Sequence, residues 1–577
     1  MINSVAQAIP NYTMSTFNIP AKNCDKIDSL IRRFWWKPEE KEGRFIAWKA
    51  WDKLCCPKYE GGLGFKKTKD VNNVLLAKLA WLVASSRESL CMDILRAKYK
   101  VKHDWLQKDL PKVASPTWRA IENAKKLIVK GACYLIGDGA TINVWEDPWV
   151  PWIQGFKPLP RNENITQCPI MVSQLIDHTT HSWIPSLVTE LFDAASAQAI
   201  MLIPIPYSPR QDKLMWTPSS KGVFSVKSAY RVSLEQNSSF SQSGPLRSKL
   251  WKAKLPKRVK MLLWRIGSNA LPTKENLKQR LEHIDSTCVL CKSESESCVH
   301  LFCECPITRT IWLAGCWGFR VNLDCIASSE DIIRFIVVPP TFSLPSHDQW
   351  LVSLNMALTV DEIWRLRNHI IFQEGNIDIL KSIQNVKSRF TEYSNLLSMD
   401  NVLTPEPSLP VWSPPPLGWM KINVDAALSS SKSALAVVAR DHQGHVIKVW
   451  GSNHYHCSPI QAESAALLLA VELAIQEQWR LVIFEGDAEG CFDTLASADL
   501  LPDWSICTVI NNIRSLVASL PFFKFCWAQR SCNSAAHAAA KFALSFCQSF
   551  CFNNGNLPLY IKSVCKVDCQ ACSFVSV

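Results

Sequence analysis

The sequence has no long uninterrupted hydrophobic run. Its longest apolar stretch, Ala465–Ala474, is broken by Glu472 and is much shorter than the roughly 20 residues that a bilayer-spanning helix needs. Residues 1–25 contain neither a charged n-region nor a long apolar core, the two marks of a secretory signal peptide. We therefore expect no membrane association and a location in the nucleus or the cytoplasm, without secretion.

Compositional extremes are also missing. Hydrophobic residues make up 47% of the 577 residues and charged residues 20%, which is ordinary for globular protein and excludes a mainly disordered chain. A chain of this length is expected to form about three or four domains. Without a secretory signal, the 23 cysteines are interpreted as reduced thiols and metal ligands, because disulfides form mainly in oxidising compartments.

The net charge of +12 is unevenly distributed. Residues 421–547 carry nine Lys and Arg against eleven Asp and Glu, and residues 548–577 carry two against one, so residues 1–420 have a net charge of about +13. Basic surface favours phosphate backbones through counterion release but carries no sequence information. Nucleic acid (an RNA–DNA hybrid, RNA or DNA) is therefore the expected partner, and an ordinary solvated basic face is the alternative.

Residues 419–547 have the pattern of an α/β unit. A short apolar run that ends in Asp425 predicts a strand, and Ser458, Pro459 and Gln461 predict a helix start with a capping box. The first three strands are expected to form an antiparallel meander. Strands are predicted at 421–425, 434–439, 445–450, 481–487 and 522–529, and helices at about 459–478, 488–497, 503–518 and 533–547.

Three carboxylates occupy defined positions in this unit. Asp425 ends the first strand, Glu463 lies in the second turn of the first helix, and Asp487 ends the fourth strand. Carboxylates suit Mg²⁺ in sites that also take phosphate oxygens, and two such ions about 4 Å apart support in-line cleavage of a phosphodiester. A single acid at the end of an element is usually just solvated, but three at these positions indicate a metal-dependent catalytic site.

A basic stretch lies upstream, at residues 247–280. It contains eleven Lys or Arg and one acid, Glu275, with apolar residues between them. The pattern predicts contacts to nucleic acid, although a solvated helix face would look the same. The residues predicted to make these contacts are Lys252, Lys254, Lys257, Arg258, Lys260 and Arg265.

Four residues after this stretch have the spacing of zinc ligands. They are Cys288, Cys291, His300 and Cys305. Two thiolates on a tight turn chelate one ion, and a histidine with a third cysteine completes the tetrahedral shell of a Zn²⁺. Cys298 and Cys303 lie close enough to exchange with a ligand. Buried free thiols are the alternative, because reduced cysteine is common in cores.

The α/β unit resembles the ribonuclease H family in the divergent form found in plant non-LTR (LINE-type) retrotransposons. The resemblance covers about 420–545 and rests on INVDAA, the AE of QAESAAL, FEGDA and RSCNSAAHAAAKFA. It implies a mixed five-stranded sheet with flanking helices and metal binding by Asp425, Glu463 and Asp487. The family's fourth acid falls on His537. A neutral imidazole suits Mg²⁺ less well than an oxygen ligand, so His537 is either a catalytic assistant or a helix-face histidine without a metal.

Other short stretches of the sequence resemble the part of a plant non-LTR retrotransposon polyprotein that follows the polymerase. Residues 33–36 (RFWW) and 60–65 (EGGLGF) are similar to the end of the reverse transcriptase, past its palm. No Phe/Tyr-x-Asp-Asp motif for nucleotide addition occurs in the sequence, so polymerase activity is not expected. Four further stretches resemble the zinc-binding module of these retrotransposons: Leu255-Pro-Lys, Trp264-Arg, Leu271-Pro-Thr and His300-Leu-Phe. This resemblance implies a structural zinc site in which the protein fills all four positions.

These observations predict a multidomain protein with a mainly α N-terminal region, a small zinc-binding module and a C-terminal α/β ribonuclease H-like domain. A Ser-rich break at 236–244 marks one boundary. The Cys-rich tail is expected to be an unselected or disordered end rather than a metal site, and Glu146 and Asp147 are expected to be solvated. The predicted segments are a reverse transcriptase remnant (1–110), a connecting region (111–245), the zinc-binding module (246–335), a helical spacer (346–400), a Pro-rich linker (401–418), the ribonuclease H-like domain (419–547) and the tail (548–577).

The leading prediction is a retrotransposon-derived ribonuclease H-like endonuclease that hydrolyses the RNA strand of RNA–DNA hybrids. It would use two Mg²⁺ or Mn²⁺ ions and carry a structural Zn²⁺. Two alternatives stay open: a nucleic-acid-binding protein with an inert nuclease unit, and the product of a decayed element. The role of His537 beside the three acids separates the enzyme from the binding protein.

Overall fold

The computed structural model describes residues 2–38, 45–85, 89–108, 113–162, 169–234, 244–281, 283–320, 326–339, 348–373, 375–398, 411–497, 499–546 and 548–573. Residues 236–243 of the predicted Ser-rich break and residues 401–410 of the predicted linker lie outside these ranges. The chain forms two units, Met1–Asn72 with Asn237–Pro405, and Asn73–Gln236 with Glu406–Val577. Each unit is therefore assembled from two separate stretches of sequence.

The first 234 residues are mostly helical, as predicted for the N-terminal region. The helices are α1 (Asn11–Met14), α2 (Ala21–Trp36), α3 (Trp51–Cys55), α4 (Thr68–Ala84), α5 (Leu90–Tyr99), α6 (Pro116–Ile128), α7 (Pro185–Leu191), α8 (Ala194–Met201) and α9 (Val226–Leu234). The strands are β1 (Ala132–Leu135), β2 (Ile176–Asp177), β3 (Ser182–Trp183) and β4 (Lys213–Trp216). β1 pairs with β4 and β2 with β3, both antiparallel, so the connecting region contains two small sheets.

The environment of Asp147 differs from the solvated position expected for it. Asp147 is buried, and its carboxylate accepts hydrogen bonds from the main-chain N–H of Asn143 (2.8 Å) and from Nε2 of Gln107 (3.1 Å). A partner 40 positions away in sequence gives no local signal, so the burial was not predictable from the neighbouring residues. Asp147 holds the turn before Pro148, whereas Glu146 is exposed as expected.

The stretch from 244 to 398 is helical around the cysteine-rich segment. Its helices are α10 (Gly244–Lys252), α11 (Lys257–Gly267), α12 (Lys274–Lys278), α13 (Pro306–Leu313), α14 (Ser329–Val337), α15 (Gln349–Gln373) and α16 (Ile379–Ser398). Leu263, Phe302, Ile333 and Leu358 are buried in one shared core. The cysteine-rich segment, α11, α14 and α15 therefore pack together.

Buried ion pairs strengthen this packing. Nη2 of Arg367 on α15 lies 2.8 Å from Oε1 of Glu296, which lies between two of the predicted zinc ligands in sequence, and both side chains are buried. Arg389 on α16 likewise pairs with Asp361 and Glu362 on α15. Removing one partner of such a buried pair costs about 3–5 kcal/mol.

Across the described ranges, no helix combines the length and the apolar character needed to cross a bilayer.

The last part of the chain is an α/β domain with a mixed six-stranded sheet. Its strands are β5 (Met420–Leu428), β6 (Lys432–Arg440), β7 (Val446–Tyr455), β8 (Leu481–Gly486), β9 (Phe522–Trp527) and β10 (Phe550–Asn553). Its helices are α17 (Pro459–Gln476), α18 (Glu489–Ala496), α19 (Cys507–Val517), α20 (Ser534–Ser545) and α21 (Leu559–Ser573). The strand order is β10-β7-β6-β5-β8-β9, with β5, β6 and β7 antiparallel and β8 and β9 parallel to β5. The five predicted strands and the antiparallel meander are confirmed.

Helices cover both faces of this sheet. Successive residues of a strand point to opposite faces: Val437 of β6 packs with α17, α18 and α19, whereas Val438 packs with α20 and α21. A continuous apolar run such as that of β6 is typical of a strand buried on both sides. The capping box predicted for α17 is present, because Oε1 of Gln461 accepts a hydrogen bond from the Ser458 main-chain N–H at 3.1 Å.

The tail does not match the disordered end expected for it. β10 pairs with the edge strand β7, and α21 packs against α20 with Ile561 and Cys565 buried. An apolar segment that covers an open sheet edge removes unpaired backbone groups from that edge. The expectation of disorder was wrong because it was based on the cysteine spacing and overlooked the apolar alternation at 550–553.

Candidate active site and zinc site

The ends of two adjacent strands bring the predicted acids together. Asp425 lies near the end of β5, and Asp487 directly follows β8, which runs parallel to β5, so both reach the same region of the sheet. Glu463 lies in the second turn of α17, and its Oε1 accepts a hydrogen bond from the Ala426 main-chain N–H (3.4 Å). One carboxylate oxygen of each acid lies within 4.8 Å of the other two. The three acids that the sequence singled out therefore form one cluster.

Burial and repulsion make these carboxylates costly to ionise together. Burial raises the pKa of Asp425 to about 6, helped by the charge of Asp487 and opposed by the hydrogen bond from His537. Burial also raises the pKa of Glu463 to about 9, with further contributions from Asp425 and Asp487. Like charges at this spacing favour protonated forms unless a cation is present. The donor set therefore fits a divalent cation with a preference for oxygen ligands.

His537, on α20, lies beside this cluster. Its Nδ1 is 3.1 Å from Oδ2 of Asp425, and its Nε2 is 3.4 Å from Nη2 of Arg530. Because a guanidinium can only donate, Nε2 of His537 accepts in that contact and Nδ1 carries the proton that is donated to Asp425. His537 is thus held between a cation and a carboxylate, close enough to act with the acids.

Buried amides behind the acids were missed by sequence reasoning. Nδ2 of Asn533 donates to the Val424 main-chain carbonyl (2.8 Å) and to Oδ1 of Asp487 (3.4 Å). Oδ1 of Asn533 accepts from Nδ2 of Asn423 (3.2 Å), which also donates to Oε1 of Glu485 (2.9 Å). Asn533 therefore links β5 to Asp487. The available signal was Asn423, a polar residue two positions before Asp425 and hence on the same strand face.

A buried arginine supports these amides. Nη2 of Arg440 donates to Oδ1 of Asn423 (2.9 Å), and the guanidinium lies 3.5 Å from the ring centroid of Trp412. Nε1 of Trp412 donates to the same Asn423 oxygen (3.1 Å). Nζ of Lys421 lies 3.0 Å from Oε2 of Glu485, which neutralises that acid. Trp412 belongs to the predicted linker in sequence but contributes to the buried polar network of the sheet.

The predicted zinc ligands also converge. Cys288 and Cys291 lie on a turn closed by the bridge between Thr287 and Ser295. His300 begins the helical turn His300–Glu304, and Cys305 directly precedes α13. Sγ of Cys291 lies 3.3 Å from Nε2 of His300, and one ligand atom of each of the four residues lies within 4.8 Å of the others. Four thiolate and imidazole donors in such a group fit a closed Zn²⁺ shell.

The cysteines of this segment differ in their contacts and pKa values. The hydrogen bond between Cys288 and Cys305 raises the pKa of Cys288 and lowers the pKa of Cys305, and metal binding would require both thiols to lose their protons. Cys298 and Cys303 lie outside the group, and burial raises the pKa of Cys298 to about 11 and that of Cys303 to about 12. The arrangement therefore favours the ligand set with Cys305 over an exchange with either of them.

The basic residues of the upstream stretch divide into two groups. Lys252, Lys257 and Arg258 are exposed. The other three are partly buried, and two of them are engaged by the protein: Nζ of Lys254 lies 4.4 Å from the ring centroid of Trp350, and Nζ of Lys260 donates to the Trp251 carbonyl (2.9 Å). Burial lowers the pKa of Arg265. The exposed group is therefore the better candidate for phosphate contacts.

Comparisons with known proteins match both sites. Residues 224–312 match the family described as zinc-binding in reverse transcriptase, and residues 423–543 match the family described as reverse transcriptase-like. The first match contains the four converging cysteine and histidine residues, and the second contains the three acids and His537.

Relatives from plants extend along the chain. The "Putative ribonuclease H protein" of Arabidopsis thaliana is 27% identical over 521 residues, which cover 85% of this chain and 79% of that protein. An "Uncharacterized mitochondrial protein" of the same plant is 35% identical over 144 residues, which cover 25% of this chain and 93% of that protein.

Solved structures match 22% of the chain. RNase H1 from the halophilic archaeon Halobacterium salinarum is 22% identical and covers 22% of this chain and 98% of its own, with a TM-score of 0.21. LC11-RNase H1 in complex with an RNA/DNA hybrid is 16% identical and covers 22% and 96%, with a TM-score of 0.21. From the two family matches and the plant relatives, the chain belongs to the plant retrotransposon-derived, ribonuclease H-like proteins.

Proposed function

We propose that this protein is a nuclease that hydrolyses the RNA strand of RNA–DNA hybrids. The observation that carries the proposal is the convergence of Asp425, Glu463 and Asp487 within 4.8 Å in a ribonuclease H-like domain. The raised pKa values of Asp425 and Glu463 show that ionising these carboxylates together is unfavourable, and a bound cation would offset this cost. The name of the plant relative, a ribonuclease H protein, supports the same reaction class.

In this proposal, the three acids hold Mg²⁺ or Mn²⁺, in a two-ion arrangement. Bound ions would lower the pKa of the attacking water and stabilise charge on the phosphate. Asn533 restrains Asp487 through its amide, and His537 restrains Asp425 through its Nδ1–H. Arg530, exposed beside His537, adds a cation that attracts the phosphate backbone.

The zinc-binding module has a different role in this proposal. All four of its donors come from the protein, which leaves no position for a reacting water, so its Zn²⁺ would be structural. The exposed Lys252, Lys257 and Arg258 would contact phosphates without reading sequence. Choice of RNA over DNA would come from contacts to 2′-hydroxyl groups.

One observation favours a second candidate, a nucleic-acid-binding protein without catalysis or the product of a decayed element. His537 stands where the family has an acid and already donates to Asp425, so one ligand oxygen of the cluster is engaged in a hydrogen bond. Loss of an oxygen ligand weakens a Mg²⁺ site, because Mg²⁺ demands near-ideal oxygen coordination.

The test is cleavage of an RNA–DNA hybrid, labelled on the RNA strand, by the full-length protein in Mg²⁺ and separately in Mn²⁺. We expect shortened RNA and intact DNA, with no cleavage in EDTA or by Asp487→Asn. The matched control is Asp493→Asn, an exposed acid on α18, which should cleave like the unmodified protein. Hybrid binding in EDTA without cleavage in either metal would favour the second candidate.

A further inference from the structure

The connecting region contacts the ribonuclease H-like domain, although the two are far apart in sequence. Residues 205–207 and 220–222 lie against α17, α19 and the segment before α19, within the unit formed by Asn73–Gln236 and Glu406–Val577. These residues of the connecting region precede the zinc-binding family match, which begins at residue 224. The contact therefore involves a part of the chain to which no role has been assigned.

A buried asparagine on α19 binds the backbone of this region in one register. Nδ2 of Asn512 donates to the Ile205 carbonyl (2.8 Å), and Oδ1 of Asn512 accepts from the Tyr207 main-chain N–H (2.9 Å). Asn512 is 4% exposed. Its amide thus supplies one donor to the carbonyl of Ile205 and one acceptor to the N–H of Tyr207, two residues further along the chain. An apolar residue, a more usual choice for a buried helix position, would leave both backbone groups without these partners.

Side-chain contacts extend the same surface to α17. The hydroxyl of Tyr207 donates to Oε1 of Glu472 across 2.7 Å. Glu472 lies on the helix that also carries Glu463, nine positions earlier. The charged group that interrupts the most apolar stretch of the sequence therefore has a partner in the connecting region.

A second set of contacts lies around Trp504. The Trp504 main-chain N–H donates to the Ser220 carbonyl (2.8 Å), and Nζ of Lys221 donates to the Leu501 carbonyl (2.6 Å). Gly222 has a left-handed φ of 65°, and a Cβ built on it would lie 2.2 Å from Cε of Met215 and 3.0 Å from Cβ of Trp504. Glycine is required there both by the backbone angle and by the close approach.

We propose that residues 205–222 of the connecting region are a dedicated intramolecular docking segment for the α17–α19 face of the ribonuclease H-like domain. The folded unit that contains the ribonuclease H-like domain then comprises residues 73–234 together with 411–573. In the sequence, the zinc-binding module lies between these two stretches. The partner of this face is a segment of the same chain. Its main-chain groups bond to the Asn512 side chain, and the Tyr207 hydroxyl bonds to Glu472. The proposal does not depend on catalysis.

The test uses the full-length protein with a protease recognition sequence substituted within residues 401–410. After cleavage, the fragment that begins near residue 411 is no longer joined covalently to the docking segment. We expect this fragment to co-elute with the rest of the chain in size-exclusion chromatography. Separation of the fragment from the otherwise unmodified chain would overturn the proposal.

Variants test the named contacts. Asn512→Ala combined with Tyr207→Phe should increase the dissociation rate of the cleaved fragment about tenfold or more, because buried main-chain groups lose their partners. The matched control is Asn511→Ala, since the Asn511 side-chain amide donates to Sγ of Cys507, one turn earlier on the same helix. Unchanged dissociation in the double variant would overturn the assignment of these contacts.

A variant outside the ribonuclease H-like domain separates docking from folding of that domain. Gly222→Val should also release the fragment, because its side chain would collide with Met215 and with Trp504, and the shifts needed to relieve these collisions would move residues 220–222 away from the domain. The released fragment should keep the helical circular dichroism of a folded α/β domain. Retention of the Gly222→Val fragment at the unmodified rate would contradict docking through residues 220–222.

Discussion

His537 donates its Nδ1–H to Oδ2 of Asp425 across 3.1 Å, so the residue in the family's fourth acidic position is bonded to the first acid. On its other side, the His537 ring accepts a hydrogen bond at Nε2 from Nη2 of Arg530. It orients Asp425 but adds no oxygen ligand to the cluster. In the proposed function, the cleavage rate would therefore depend on how well three acids and a histidine replace four acids.

His537→Asp should raise the cleavage rate in Mg²⁺ or lower the Mg²⁺ concentration needed for half-maximal rate, by about tenfold, the size of effect typical of groups around a metal site. The added carboxylate supplies the oxygen ligand that the family pattern implies. The measurement is hybrid cleavage across a Mg²⁺ titration. His445→Asp, on an exposed residue of the same domain, is the control for added charge. An unchanged titration would make His537 a bystander.

Asp425→Asn and Asp487→Asn should each reduce cleavage by more than about 100-fold, since removing a ligand costs more than removing a group behind it. The double variant should be hardly worse than either single one, because residues that act as a unit are not additive. Both proteins should remain folded, since the removal of a charge relieves repulsion in the cluster. Circular dichroism and thermal melts check the fold, and additive losses would argue against a shared site.

The metal-free protein should become less stable as pH rises. The pKa values of Asp425 and Glu463 are raised to about 6 and about 9, above ordinary values of about 4. Their contribution is therefore fully present below about pH 4 and is lost as pH rises through 6 and then 9. In EDTA, we expect the Tm of the ribonuclease H-like domain to fall by a few degrees between pH 6 and pH 9.

Two comparisons isolate that contribution. The double variant Asp425→Asn with Glu463→Gln should flatten the pH dependence, because the amides do not titrate. Added Mg²⁺ should stabilise the unmodified protein most at high pH, where the carboxylates are ionised and able to bind it. An equal slope in the variant would mean that other groups set the pH dependence.

Cys288→Ser should remove zinc and expose residues 285–310 to protease while the domain at 420–545 stays folded. Metal binding and local folding are coupled, because the ligands must lose protons and be held together. Elemental analysis and limited proteolysis are the measurements. Cys303→Ser is the matched control, since Cys303 is buried nearby but lies outside the converging group. Unmodified protein without stoichiometric zinc would refute the site.

Neutralising Lys252, Lys257 and Arg258 should weaken nucleic-acid binding about equally across sequences. For each side chain that no longer neutralises a phosphate, the slope of log K against log salt should become shallower by about 0.9 on a duplex. The measurement is fluorescence anisotropy over a salt series. Lys260→Gln serves as a comparison, because Lys260 bonds to the Trp251 carbonyl within the protein and should change stability more than the salt slope.

Asp425, Glu463 and Asp487 could be identified from sequence because local patterns carried the information. Each acid ends or interrupts an apolar element whose period indicates strand or helix, and parallel strands deliver their ends to one region. The candidate zinc ligands could be identified from the sequence in the same way, since two cysteines on one turn are a local feature. The carboxylate cluster and the converging cysteines therefore followed from short-range patterns.

Tertiary structure alone decided what supports these sites. Asn533 contacts Asp487 from 46 positions away, Arg367 pairs with Glu296 from 71 positions away, and Asn512 binds Ile205 from 307 positions away. Such partners leave no periodic signal, because a buried polar residue is specified by the groups that surround it rather than by its neighbours in sequence. The sequence by itself determined the five central strands, the helices between them and the candidate metal-binding residues. The packing of distant segments decided that the C-terminal segment pairs with β7 and which polar side chains hold the candidate sites in place.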